Sequence, residues 1–199
     1  MAQVRGNWFP SVRSALDRHG VLAATDELLP TTTREIFWGA DPAKWFDEGH
    51  AVAIYEAVAK LKGVAFCREL GRDAARFAMM TIWSDLMRAL QGHVGGTPRM
   101  AFEQMPVIWN ATRRDAGELH CLESSTRHAV TEVRGFPYTG SAAWVQVWLG
   151  HHDALLKQLR FTGRAALELA DPAIPVVRTR TTWGGALGGN PTGGFGGTP

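Results

Sequence analysis

The spacing of the apolar residues changes at Gly117, and that change does most to limit the folds open to this 199-residue chain. Up to that glycine the apolar positions recur every three or four residues, the signature of helices with one buried face. Beyond it they alternate in short runs, interrupted by a single helical pattern. Helices followed by strand runs imply an α+β fold: a helical N-terminal half packed on a small antiparallel sheet.

The helical half covers 1–117. Pro10 suits the first turn of a helix ending near Gly20. A short helix is expected over 22–29, stopped by Pro30, with Thr31, Thr32 and Thr33 as a polar connection. Over 47–61 the residues Val52, Ile54, Tyr55, Val58 and Leu61 line one face, and Gly63 closes that helix. A second long pattern covers 64–90, with a kink expected at Gly71. Thr97-Pro98 opens a third, with Ala101, Phe102, Met105, Ile108 and Trp109 on its buried face and a bend at Pro106. Basic Arg113 and Arg114 suit its C-terminal end.

In the second half, 118–123 and 127–134 read as a hairpin around Ser124-Ser125-Thr126. Ser141 caps a helix expected to run to Phe161, with Trp144, Val147 and Trp148 on its apolar side. Two more strands follow over 164–170 and 175–183, turned at Asp171-Pro172. The order is strand-strand-helix-strand-strand. Residues 1–183 are thus read as one domain. The segment 184–199 holds eight glycines and no charge; it has too little apolar surface to offset the entropy of ordering and is expected to be a disordered tail.

Composition narrows the function classes. The formal charge of +2 lacks the basic excess of a nucleic-acid protein. No apolar run is long enough to insert in a membrane. The first residues carry no secretory pattern, and two unpaired cysteines suit a cytoplasmic chain. No catalytic motif emerges: there is no Gly-x-Ser-x-Gly, Ser-x-x-Lys or phosphate-cradling glycine loop. Cys67 lies in an apolar stretch and reads as an inert core thiol. The carboxylate pairs, Asp47 with Glu48 among them, read as caps and solvated acids.

The remaining candidates are aromatic, imidazole and guanidinium groups. Eight tryptophans promise an aromatic core, pocket or interface. Trp144 and Trp148 lie one turn apart and stack on one side of their helix. Trp109 shares a stripe with Phe102 and Met105, and Tyr138 lies in the loop before the last helix. His151 and His152 are adjacent, so they point about 100° apart and cannot chelate one ion together. One is expected at the core boundary and the other in water. Arg178 and Arg180 share one strand face, where they could meet an anion or an acidic partner.

Several stretches carry a resemblance: 45–61, Glu69-Leu70-Gly71-Arg72, Met105-Pro106-x-x-Trp109 within 98–112, and 130–183, most typically Val133-Arg134-Gly135-Phe136-Pro137 and the Trp-rich helix after it. In these the chain resembles a paralogous myxobacterial family of unassigned function, and more distantly the haem-nitric-oxide-binding and 4-vinyl-reductase-like ligand-binding domains. The resemblance implies a helical half over a small sheet, and a role in sensing or ligand binding. It brings no catalytic residues. The haem-nitric-oxide-binding family holds its haem propionates with Tyr-x-Ser-x-Arg; here Tyr55 and Tyr138 are followed by Glu-Ala-Val-Ala and Thr-Gly-Ser-Ala. Haem is therefore not expected, and without a four-ligand Cys/His spacing neither is zinc. The leading expectation is a non-enzymatic module that binds a small apolar ligand or a protein partner. The alternatives are a self-associating structural subunit and an enzyme with a dispersed site.

Overall fold

The computed structural model describes residues 1–81, 97–171 and 173–186. A short strand β1 (Gln3–Arg5) leads into α1 (Trp8–Arg18), α2 (Leu22–Glu27) and α3 (Thr31–Gly39). Strand β2 (Trp45–Asp47) then precedes α4 (Glu48–Lys62), α5 (Phe66–Thr81) and α6 (Pro98–Thr112). The second half runs β3 (Arg113–Arg114), β4 (Glu118–Ser124), β5 (His128–Arg134), α7 (Ala142–Gln158), β6 (Phe161–Asp171) and β7 (Val176–Ala186). The α+β class and the strand-strand-helix-strand-strand order are as the sequence implies. The four strands pair antiparallel in the order β4-β5-β7-β6.

Local chemistry explains the elements that matter for the site. Asp47 caps α4 by accepting from the Gly49 amide at 2.8 Å. The Ser141 hydroxyl accepts from the Trp144 amide at 3.3 Å at the start of α7, satisfying one of the free donors of the first turn. Gly117 sits at φ 69°, and a β-carbon there would meet the Phe136 amide nitrogen at 2.8 Å. The passage from helices to sheet therefore requires glycine at that position.

The structure corrects several local expectations. Thr31–Thr33 open α3 rather than forming a connection. No sequence signal marked the second, three-stranded sheet, β2-β1-β3; its strands are two or three residues long and come from the start, the middle and the end of the helical half. Gly71 lies inside an unbroken α5. Its role is close approach: a β-carbon there would meet Val147 Cα at 2.7 Å, and one at Gly150 would meet the Arg72 amide nitrogen at 2.7 Å. The backbones of α5 and α7 cross through this pair of glycines. α7 ends at Gln158, before Phe161, and β7 continues through Gly184 and Gly185 to Ala186. The remainder of the expected tail, 187–199, lies outside the described residues, as do Trp83 with the rest of 82–90 and the turn residue Pro172.

A contiguous apolar core joins the two halves. It includes Phe9 and Leu16 of α1, Leu70 and Ala74 of α5, Phe102 and Trp109 of α6, Trp144 and Trp148 of α7, and Val133 and Val177 of the sheet.

Candidate functional site

The site lies where the small sheet, α1, α5, α6 and α7 converge. A cavity of about 50 Å³ is lined there by Trp8, Met79, Met105, Trp109, Trp148 and His151, with Arg5, Asn7 and Arg113 at its polar edge. α6 and α7 bring Trp109 and Trp148 edge to face, centroids 5.5 Å apart. Trp8 from α1 meets His151 edge-on at 5.1 Å and donates its indole N–H to the Tyr55 hydroxyl at 2.6 Å.

The polar side of the site is unusual. Glu48 is 0% exposed and lies 3.4 Å from Arg113, whose side chain is 8% exposed. Burial pushes the Glu48 carboxyl above the usual carboxylate range, and Arg113 only partly offsets this. Despite the ion-pair distance, neither Glu48 carboxylate oxygen nor Arg113 Nε makes a hydrogen bond. Trp148 Nε1 and His151 Nε2 are also buried without a partner. Among the described residues, five of the eight buried orphan side-chain atoms therefore belong to Glu48, Arg113, Trp148 and His151. Glu48 and Arg113 compensate each other as an ion pair, whereas Trp148 Nε1 and His151 Nε2 have no partner, at a cost of about 1–3 kcal/mol each. His151 is held neutral: burial, with Arg113 nearby, keeps its imidazole well below the ordinary histidine value. Arg113 also stacks its guanidinium over Trp109, 4.4 Å from the ring centroid, a contact that favours a desolvated cation.

Of the eight candidates read from the sequence, Trp109, Trp148 and His151 line the cavity. Trp144 stacks parallel to Trp148 at 6.0 Å, as their spacing implies. It continues through Phe136, at 4.5 Å, to Tyr138, so both residues belong to an aromatic chain behind the cavity. His152 points to the sheet. Its Nε2 and Nδ1 lie 2.9 Å from Thr131 Oγ1 and 3.0 Å from the Trp148 carbonyl oxygen. Burial lowers its pKa to about 4. The expectation of one solvated histidine is thus corrected: α7 is covered on both sides, by the sheet and by α5 and α6. Arg178 and Arg180 lie on the outer sheet face, away from the cavity. Arg178 pairs with Glu132 at 2.7 Å and Arg180 pairs with Glu168.

Sequence reading missed Trp8, Arg5, Arg113, Glu48 and Tyr55 as parts of one site. Glu48 stands next to a true cap and reads as a solvated acid; only its pairing with Arg113, far along the chain, explains its burial.

No protein-family model matches the chain, and no curated protein does. Solved structures do. An oxygen-binding H-NOX domain related to soluble guanylate cyclases, in its oxygen complex, matches with a TM-score of 0.62 at 14% identity, covering 92% of this chain and 94% of that one. An unliganded Fe(II) H-NOX mutant from K. algicida matches with a TM-score of 0.66 at 9% identity, covering 91% and 97%. A structure described as modulating haem redox potential through porphyrin distortion matches with a TM-score of 0.62 at 14% identity, covering 92% and 94%. The chain has the H-NOX fold.

The described residues of this chain do not fit a haem at the cavity. About 50 Å³ is far below the ~300–1,000 Å³ of sites for large ligands. The contact between Trp109 and Trp148 closes the space between α6 and α7, and Trp8 stands edge-on to His151, the histidine of the cavity wall.

Proposed function

We propose that this chain is a non-enzymatic sensing module, working in the cytoplasm, that holds a small ligand in the aromatic-lined cavity between α1, α5, α6 and α7. The observation that carries this reading is that the cavity wall holds two buried polar atoms without partners, Trp148 Nε1 and His151 Nε2. A packed structural subunit has no reason to concentrate that cost in one place. A sensor does, because a ligand that pairs these groups stabilises the bound form over the empty one.

The cavity sets the ligand's size. One water occupies roughly 10–15 Å³ in the same measure, so the space admits roughly three to five non-hydrogen atoms without rearrangement. Met79, Met105, Trp109 and Trp148 provide apolar contact. Trp148 Nε1 can only donate a hydrogen bond, so the ligand must offer an acceptor after a small shift of the indole. No member of the site is placed as a nucleophile: Cys67 lies outside it, and burial pushes its thiol up to about 11.

Thermal melts with acetate, acetone and propanol test the proposal. At least one of these probes should raise the Tm of the wild-type chain. Ala75→Leu, which fills the cavity from α5, should remove that shift. A shift that persists in Ala75→Leu, or no shift with any probe, contradicts the reading.

A further inference from the structure

A second feature lies on the opposite side of α5 and α7 from the cavity. Arg68, Arg72 and Arg76 stand at successive turns of α5, a ladder about 12 Å long at 1.5 Å per residue. Facing them are Lys157 at the end of α7 and Arg164 on β6. Between the two walls runs a groove of about 610 Å³. A depression of about 140 Å³ shares Arg72 and Lys157 with it and extends it to Arg76.

The charges of this groove are unequally spent. Arg68, 15% exposed, is fixed by two hydrogen bonds to Asp153, at 2.7 and 3.0 Å, and one to the Ala165 carbonyl at 2.6 Å. Asp153 is fully engaged, since it also accepts from the Ala165 amide at 3.0 Å. Asp73 is engaged by His19 at 3.0 Å. Among the described residues, Arg72, Arg76, Lys157 and Arg164 have no acidic partner, and Glu69 is the single unengaged carboxylate lining the groove.

We infer that this groove is a docking surface for an acidic, extended segment of a protein partner. The spacing favours such a segment: alternate side chains of an extended chain lie about 6.6 Å apart, close to the ~6 Å between the two free rungs of the ladder, Arg72 and Arg76. The interspersed Glu69, Asp73 and Asp153 favour discrete acidic side chains over the continuous phosphates of a nucleic acid, and the overall charge of +2 lacks a nucleic-acid footprint. The same two helices present Ala75, Met79, His151 and Leu155 to the cavity. The groove is therefore their outward face, although its charge stands whether or not the cavity binds anything.

The test uses a fluorescein-labelled ten-residue peptide with glutamate at alternate positions and serine between. Its anisotropy should rise on titration with the wild-type chain at low salt and fall back as salt is added. Arg72→Glu combined with Arg164→Glu should weaken binding roughly tenfold or more. Arg164 is exposed and Arg72 half-buried, and neither has an acidic partner among the described residues, so the variant should melt like the wild type, a control read by circular dichroism. If that variant does not fold, Lys157→Glu replaces it. Arg178→Glu combined with Arg180→Glu, on the outer sheet face, should leave binding unchanged. The inference is overturned if the two double variants lose binding equally, if the glutamine version of the peptide binds as well, or if a single-stranded oligonucleotide of equal charge displaces the peptide at lower concentration.

Discussion

The two sides of α7 carry adjacent histidines with opposite fates. On the sheet side, both nitrogens of His152 find partners in Thr131 and the Trp148 carbonyl, and its ring stacks on Phe102 at 5.4 Å. On the cavity side, His151 is wedged between Trp8 and Trp148, and its buried Nε2 has no partner. Burial keeps both rings neutral. His152 is fully buried and His151 half-buried, but the difference that bears on the cavity is satisfaction. A paired buried imidazole is part of the scaffold, whereas an orphaned one beside a cavity is a place where a ligand can add stability.

The largest effect should come from the aromatic contact that joins the two sides. Trp109→Ala should cost about 3–5 kcal/mol in denaturant unfolding. A loss under about 1 kcal/mol would mean that the helical and sheet layers do not share this core.

Acid should act next. The pKa of His152 falls from 6.5 unfolded to about 4 folded, so the unfolded chain binds more protons between these values. Its contribution is complete above pH 6.5 and is lost as pH falls through about 4, roughly 3 kcal/mol in all. His151 shifts in the same direction. Burial raises Glu132, but hydrogen bonds from Arg134 and Arg178 outweigh it and leave the carboxyl below its usual range, so it too loses stability in acid. Glu48, with a raised pKa, opposes the trend. Unfolding measured from pH 7 to pH 4 should show a falling stability that His152→Leu flattens. An unchanged slope in that variant contradicts the assignment.

The smallest effect separates the histidines directly. His152→Leu should cost about 1–3 kcal/mol by orphaning the Thr131 hydroxyl. His151→Leu should change stability by no more than about 0.5 kcal/mol, or raise it, because it removes an unpaired polar atom. The reverse order would invert the comparison.

Much of this arrangement is legible in the sequence, and the gaps have physical causes. Two short runs joined by Ser124-Ser125-Thr126 mark β4 and β5, and Ser141 marks the start of α7, because hairpins and caps are local. The spacing of Trp144 and Trp148 gives their stacking for the same reason. Helical geometry correctly separates His151 from His152, but it cannot say what covers each side. Gly71 looks like a break in a helix when read alone; its meaning depends on Gly150 of a helix far along the chain. The strands of the small sheet are too short to alternate visibly, and Glu48 and Arg113 become a pair only when that sheet closes. The cavity is the product of these long-range meetings, so the sequence supplies its aromatic walls and omits its polar edge.

The described residues of this H-NOX fold enclose a small aromatic-lined cavity that does not fit a haem. Native mass spectrometry with an absorbance spectrum, on the chain purified from haem-supplemented cells, tests it most directly. The expected result is the mass of the bare polypeptide, alone or with a ligand of a few atoms, and no Soret band. A stoichiometric haem adduct with a Soret band, lost in His151→Leu, would contradict it.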